Sequence, residues 1–76
     1  MVPRSVKDPK ERRAEIIATA KRLFEKNGYE ETPVDSIVEA MGVAKGTFYY
    51  YFRSKQEVLD AIVDEFLQGM EEMMEA

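Results

Sequence analysis

Apolar residues recur along the first third of the chain at the spacing of one helix face. Asp8-Pro9 precedes them, with Glu11 three residues after the aspartate, which is the pattern of a capped N-terminus with proline at the first helical position. Asn27-Gly28 follows them, and glycine there suits the left-handed conformation that ends many helices. The pattern predicts a first helix from about Pro9 to Asn27 whose apolar residues are Ile16, Ile17, Ala20, Leu23 and Phe24.

Two shorter helical segments are predicted next. Thr32-Pro33 resembles the first start signal, with Thr32 as the cap and Pro33 at the first position. This second helix has Ile37, Val38 and Met41 on its apolar side and ends at Gly42. Another helical segment follows at Lys45–Phe52. Two short helices separated by Gly42-Val43 form a helix-turn-helix, in which Val43, Ile37 and Phe48 are expected to point inward.

The longest predicted helix begins at Ser54, because Ser54-Lys55-Gln56-Glu57 is a capping box. It extends for some 20 residues, roughly 30 Å. Its apolar positions are Val58, Leu59, Ile62, Val63, Phe66, Leu67, Met70, Met73 and Met74. No stretch alternates with period two for long enough to predict a strand. The chain is therefore predicted to be all-α.

The length of 76 residues allows one small domain, and 45% hydrophobic residues indicate a globular chain. Residues 1–55 hold all eleven Lys and Arg against eight acidic residues, whereas residues 56–76 hold seven acidic residues and no base. This asymmetry suggests a basic working half and an acidic last helix. A simply solvated acidic face of that helix is the alternative. No apolar run is long enough to span a membrane and no signal peptide is evident, so the cytoplasm is the expected compartment.

Most catalytic and cofactor-dependent functions find no support in the sequence. The chain has no Cys and no His, which excludes Ser–His–Asp and Cys–His catalysis and a Cys/His zinc site. The four glycines match neither a dinucleotide-binding motif nor a phosphate-binding loop, and no calcium-loop pattern occurs. We therefore expect neither an enzyme nor a metal or cofactor.

The segment from Ala44 to Lys55 has the side chains of a DNA-binding surface. Lys45 and Lys55 are cations for phosphates, and tyrosine hydroxyls donate hydrogen bonds to phosphate oxygens. Gly46 permits a close approach of the backbone, and Thr47 and Tyr50 are placed to reach base edges. Because Phe48 and Phe52 share the core face, the remaining arc holds Lys45, Thr47, Tyr49, Tyr50 and Tyr51. The alternative is that the tyrosine rings only cover a small core.

Residues 10–67 resemble the DNA-binding domain of tetracycline-repressor (TetR) family transcription regulators. The resemblance begins with Leu23-Phe24-x-x-x-Gly28-Tyr29, Thr32 and Ile37. It continues with Gly42-Val43-x-Lys45-Gly46-Thr47-Phe48-Tyr49-x-x-Phe52 and Ser54-Lys55-x-x-x-Leu59. Three positions depart from the family pattern: Pro33 stands where threonine or serine is usual, Tyr51 where histidine is common, and Met41 where a small residue is usual.

The resemblance implies a repressor that binds double-stranded DNA as a homodimer and is released by a small ligand. It implies a flexible arm (1–8), a helix-turn-helix head (9–53) with the recognition helix at about 44–52, and a fourth helix (54–76). That helix would lead to an effector and dimerisation domain, which these 76 residues do not include. The implied recognition-helix contacts are Ala44, Lys45, Gly46, Thr47 and Tyr50. The implied phosphate contacts are Tyr49, Tyr51 and Lys55. Thr32 is a further candidate contact that alternatively only caps the second helix. The DNA-binding hypothesis adds secondary phosphate contacts at Arg4, Lys7, Arg12 and Arg13.

A second class of function is a helical protein–protein adaptor. It would dock through the acidic, methionine-rich fourth helix and would bind DNA little. Salt separates the two hypotheses, because phosphate binding weakens steeply as salt rises and apolar docking hardly changes.

Overall fold

A computed structural model describes the backbone of residues 8–75 and the side chains of residues 8–70. This part of the chain forms α1 (Pro9–Asn27), α2 (Val34–Met41), α3 (Lys45–Tyr51) and α4 (Lys55–Glu75), and it contains no strand. The all-α prediction is therefore confirmed. Helix α1 packs against both α2 and α4, and α2 packs against α3. Within the described residues, no helix combines the length and the apolarity that crossing a membrane requires.

The start of α1 is a complete capping box. The Asp8 carboxylate accepts hydrogen bonds from the backbone N–H groups of Lys10 at 2.7 Å and Glu11 at 3.2 Å. The Glu11 carboxylate accepts in return from the Asp8 N–H at 3.4 Å. Asp8 is thus part of the helix start and not of the flexible arm predicted for residues 1–8. The rest of that arm, with Arg4 and Lys7, lies outside the described residues.

The loop between α1 and α2 differs from the prediction at three residues: Gly28, Thr32 and Pro33, which the sequence predicts at the first helical position. Gly28 has a positive φ of 93°, but its ψ of 148° lies outside the left-handed helical region. Thr32 does not cap α2, which begins at Val34 with Pro33 as an N-cap that makes no side-chain hydrogen bond. The Thr32 side chain is instead fully buried. Its hydroxyl donates to the carbonyl oxygen of Gly28 at 2.8 Å and lies 3.3 Å from that of Leu23. The loop is therefore held to the end of α1 from within the core.

We expect Thr32→Val to lower the free energy of unfolding by about 1 to 3 kcal/mol, because a buried carbonyl loses its donor while the side-chain volume is kept. Urea unfolding followed by far-UV circular dichroism measures this. The control is Thr19→Val, in the half-exposed part of α1, which should change stability by less than about 0.5 kcal/mol. Equal effects of the two substitutions would contradict the role of the Thr32 hydroxyl.

The turn between α2 and α3 depends on a left-handed glycine. Gly42 has φ 72° and ψ 32°, a conformation that residues with a Cβ rarely adopt. The Val43 N–H donates to the carbonyl oxygen of Val38 at 3.1 Å, which closes the end of α2. Val43 is half-buried and packs against the core, as predicted from its position after the glycine. The turn fixes the angle at which α3 leaves α2.

The core is formed by all four helices. Phe48 of α3, Ile16 of α1, Ile37 of α2 and Val58 of α4 are fully buried in it. The other buried hydrophobic residues are Ile17, Ala20, Leu23, Val38, Phe52 and Ala61. Among the described side chains of α4, Val58 and Ala61 are buried in this core, and Ile62 packs against it. Further along α4, Val63, Phe66, Leu67 and Met70 are exposed.

The start of α4 is a modified capping box. The Ser54 hydroxyl accepts from the Glu57 N–H at 3.3 Å, as the sequence predicts. The Glu57 carboxylate, however, accepts from the N–H of Arg53 at 2.9 Å, one residue before Ser54. The two hydrogen bonds together fix the direction of the chain between α3 and α4.

Candidate nucleic-acid interface

One side of α3 faces the core and the opposite side is exposed. Phe48 is fully buried, and the exposed residues around it on the chain include Gly46, Tyr49 and Tyr50. Ala44 and Lys45, at the start of the helix, are exposed as well. We call the set Ala44, Lys45, Gly46, Tyr49 and Tyr50 the outer face of α3. All five are residues that the sequence predicts to contact DNA.

The three tyrosines differ in their surroundings. Tyr50 is 78% exposed and Tyr49 is 48% exposed. Tyr51 is half-buried and packs against the core, and its ring lies edge-on to that of Tyr50 with centroids 4.9 Å apart. Thr47 is also half-buried. The residues predicted to face outward therefore form two groups. Tyr49 and Tyr50 are exposed, whereas Thr47 and Tyr51 are half-buried.

Tyr49 is held by the residue that precedes it. Its ring meets that of Phe48 edge-on, with centroids 5.1 Å apart, and Phe48 is itself fixed in the core. An aromatic ring that is exposed yet anchored loses little side-chain entropy when it binds a partner. The anchored part of the outer face is thus suited to binding.

Lys45 is paired with a residue that the sequence analysis did not select. Its ammonium lies 2.7 Å from the carboxylate of Asp35, which is in the first turn of α2. The hydrogen bond that the Lys45 ammonium donates to this carboxylate, and secondly the negative charge of the carboxylate, raise the pKa of Lys45 above its usual range. The ammonium therefore stays charged at neutral pH. Both side chains are more than half exposed, so the pair is accessible from outside.

Gly46 has no structural reason within the domain to be a glycine. A Cβ added there would meet nothing within 4 Å, and its φ is not positive. Glycine inside a helix costs roughly 0.5 to 1 kcal/mol relative to alanine. No contact among the described residues explains why the chain has a glycine here despite this cost to helix stability. A binding partner that approaches the backbone closely at Gly46 would explain it.

Lys55 is engaged inside the domain. Its ammonium donates to the carbonyl oxygen of Tyr29 at 2.6 Å and lies 4.2 Å from the centroid of the Tyr29 ring. The Tyr29 hydroxyl donates to the side chain of Gln56 at 3.4 Å. Together these contacts tie the first turn of α4 to the loop after α1. The predicted phosphate contact is thus a cation that already has two partners.

Other predicted contacts are also occupied elsewhere. Thr32 is fully buried, so it does not reach the surface as a phosphate contact, because the end of α1 takes its hydroxyl. Arg12 pairs with Glu15 at 3.0 Å. The guanidinium of Arg13 lies 5.0 Å from the centroid of the Phe52 ring. Arg4 and Lys7 lie outside the described residues.

The described residues include no group of three or more acidic side chains placed to hold a metal ion. Among the described residues, the structure brings the outer face of α3 next to Asp35. This outer face is a convex helix face bearing a cation and two aromatic hydroxyls, next to a helix-turn-helix turn. In helix-turn-helix proteins the second helix of the motif is the one that lies in the major groove of DNA.

This fold and surface define a helix-turn-helix DNA-binding domain. Residues 16–62 match the family model of bacterial regulatory proteins of the tetR family, which is more than half of the chain. The chain belongs to this family and corresponds to its DNA-binding domain. The resemblance noted in the sequence is thereby confirmed.

Relatives and a solved structure agree with this assignment. The chain is 40% identical over 58 residues to the HTH-type transcriptional regulator EthR of Mycolicibacterium smegmatis, covering 76% of this chain and 27% of that protein. It is 39% identical over 64 residues to the HTH-type transcriptional regulator TtgR of Pseudomonas putida, covering 84% and 30%.

The crystal structure of a TetR/AcrR family transcriptional regulator from Thermobifida fusca matches with a TM-score of 0.82 and 42% identity. The match covers 86% of this chain and 36% of that one. The chain thus spans about a third of the length of the proteins it matches.

Proposed function

We propose that the outer face of α3 binds the major groove of double-stranded DNA sequence-specifically, as the DNA-reading part of a repressor. The observation that supports this most is the exposure of Tyr49 and Tyr50 beside Lys45 on the second helix of a helix-turn-helix. Exposed aromatic residues grouped on one face usually have a partner. The hydroxyl groups of the two tyrosines and the ammonium group of Lys45 can donate hydrogen bonds to the phosphate oxygens of DNA and to acceptors on its base edges.

Each residue of the surface has a proposed role. Lys45 binds a phosphate as a cation, and Tyr49 donates a hydrogen bond to another. Tyr50, the most exposed, reaches base edges, where its ring also suits the apolar methyl group of thymine. Ala44 and Gly46 allow the helix to lie close to the DNA. Thr47 and Tyr51, which are half-buried, contribute their hydroxyls from the border of the surface.

Lys55 is assigned a different role from that predicted. A phosphate would have to compete with the carbonyl oxygen and the ring of Tyr29 for its ammonium. We therefore assign Lys55 to positioning α4 against the loop after α1. Thr32 has no proposed DNA contact because it is buried.

The proposal extends to the protein in which this domain works. The chain is 30% identical to the HTH-type transcriptional repressor KstR2 of Mycolicibacterium smegmatis. We propose that this domain also acts in a repressor, as a homodimer whose dimerisation and small-ligand sites lie in regions outside these 76 residues. Its role is non-enzymatic, and it works in the bacterial cytoplasm because the chromosome is there.

The exposed apolar face of α4 fits the same proposal. Phe66 is 66% exposed and Leu67 50% exposed, far from the outer face of α3 along the chain. We assign this face to contact with another part of a longer regulator, in preference to an independent adaptor function. The adaptor hypothesis would be favoured if DNA binding proved absent.

The test is an NMR amide-shift titration of the isotope-labelled domain with a mixed-sequence DNA duplex at low salt. We expect shifts in residues 43–51 and around Asp35 that diminish as salt is raised, because counterions are released on binding. Shifts confined to α4, or shifts that do not change with salt, would contradict the proposal. If the expected shifts are observed, selection of tightly bound duplexes from a random-sequence pool would identify the DNA sequence that one domain recognises, which is the half-site.

Gly46→Ala provides a second test that separates binding from folding. We expect the substitution to leave stability unchanged or to raise it by up to about 1 kcal/mol, because alanine favours the helix. We expect it to weaken DNA binding by about tenfold, because the added methyl group lies where the DNA backbone approaches. Thermal unfolding and fluorescence anisotropy with a labelled duplex measure the two effects.

The matched control is Gly69→Ala in α4, another helical glycine with open space around it. It should give a similar gain in stability with no change in DNA affinity. If Gly46→Ala bound DNA as tightly as the unchanged domain, the close approach at Gly46 would be wrong.

A further inference from the structure

An ion pair joins Asp35 of α2 to Lys45 of α3. Lys45 is proposed to bind a DNA phosphate, whereas the negative charge of Asp35 repels the phosphate. Lys45 Nζ and Asp35 Oδ1 are 2.7 Å apart, and the two side chains are 55% and 62% exposed. A phosphate that approaches Lys45 therefore also approaches the Asp35 carboxylate. The ammonium has three donors, but two anions at the same ammonium repel each other.

The pair is not needed to hold the two helices together. The angle between α2 and α3 is already fixed by the left-handed Gly42, by the hydrogen bond from Val43 to Val38 and by the packing of Ile37 and Phe48. Exposed ion pairs contribute little to stability. Asp35 also lies in the first turn of α2, where an acid suits the helix dipole, but that interaction does not require a lysine as its partner.

We infer that Asp35 is an intramolecular competitor of DNA: its carboxylate holds the Lys45 ammonium in the free domain, and a phosphate must displace it on binding. The inference rests on the proposed function, since it presupposes that Lys45 contacts a phosphate. Asp35 thereby lowers affinity for every DNA sequence to a similar extent, because phosphates are the same in all sequences.

Such a competitor favours discrimination between sequences. A domain with a fully available cation binds any DNA through its phosphates, and this non-specific term competes with the operator throughout a chromosome. Partial neutralisation of Lys45 by Asp35 weakens that general term. The proposed contacts from Tyr50 to base edges then contribute a larger fraction of the binding free energy than they would if Lys45 were unpaired.

The experiment compares DNA affinities in a double-mutant cycle of the 76-residue chain. The variants are Asp35→Asn, Lys45→Ala and the two combined, each titrated by fluorescence anisotropy with one mixed-sequence duplex at low and moderate salt. Glu25→Gln is the control, because it removes one negative charge from an exposed site on α1 beside the groove with α4. Circular dichroism checks that every variant folds.

We expect Asp35→Asn to tighten DNA binding about threefold, the size that an exposed ion pair allows. Lys45→Ala should weaken binding by about three- to tenfold. In the Lys45→Ala background, Asp35→Asn should give no larger gain than Glu25→Gln gives in the unchanged domain. That pattern supports competition for one ammonium.

Three outcomes overturn the inference. If Asp35→Asn weakens binding, Asp35 positions Lys45 for DNA and does not compete with it. If the gain is equally large without Lys45, Asp35 acts only through net charge. If the unchanged domain shows no salt-sensitive binding to the duplex, the proposed function fails, and this inference fails with it.

Discussion

Replacing Phe48 with alanine is expected to remove a large part of the stability of the domain. Phe48 is fully buried, its ring centroid lies 6.0 Å from that of Phe52, and it belongs to a core cluster with residues from all four helices. Removing a buried phenylalanine side chain costs about 3 to 5 kcal/mol. A domain of 76 residues is expected to have only about 4 to 11 kcal/mol in total. The melting temperature should therefore fall by about 15 °C or more.

Tyr50→Ala is the matched control for this substitution. It also removes an aromatic ring from α3, but from a side chain that is 78% exposed. Thermal unfolding followed by circular dichroism should show a change of less than about 1 kcal/mol for Tyr50→Ala. Comparable losses for both variants would mean that α3 does not have the inward and outward faces described.

Two copies of the domain joined in tandem are expected to bind an inverted repeat of the selected half-site at least about 100-fold more tightly than one copy. The second binding event becomes intramolecular, and such linkage raises affinity by about 10² to 10⁴ without any new contact. Half-sites one helical turn apart are about 34–36 Å from centre to centre. A Gly/Ser linker of about 40 residues has a matching average length.

The control for the tandem protein has Lys45→Ala and Tyr50→Ala in one of its two domains. Because it retains one working recognition surface, its affinity should be within about twofold of that of the single domain. Anisotropy titrations on duplexes with different half-site spacings measure both proteins. A tandem protein that gained nothing at any spacing would argue against recognition of paired half-sites.

The helices were predictable because their signals are local. Asp8 and Glu11 form the expected capping box, and the predicted bounds of α1, Pro9 and Asn27, are those observed. Gly42 ends α2 in the left-handed conformation that the helix-turn-helix pattern requires. In each case the residues that decide the structure lie within about four positions of one another. Hydrophobic periodicity and capping chemistry are then sufficient.

The roles of Thr32, Lys55 and Lys45 were not predictable from local pattern. Lys55 binds Tyr29, 26 positions away, and Lys45 of α3 binds Asp35 of α2. Thr32 is buried, and its hydroxyl lies 2.8 Å from the carbonyl oxygen of Gly28 and 3.3 Å from that of Leu23, which is nine positions away in α1. A threonine before a proline resembles a helix cap, and a lysine beside tyrosines resembles a phosphate ligand. Only the packing of the helices decides whether these groups are free or already bound.

The position of the core along the chain has a consequence for the synthesis of the protein. Among residues 8–70, the buried hydrophobic residues begin at Ile16 and end at Ala61, and α1 packs against α4. A growing chain that has not yet released Val58 and Ala61 from the ribosome leaves the apolar side of α1 uncovered. The domain therefore cannot complete its core until about 60 residues have emerged. Any later part of a longer regulator would leave the ribosome after the residues that form this core.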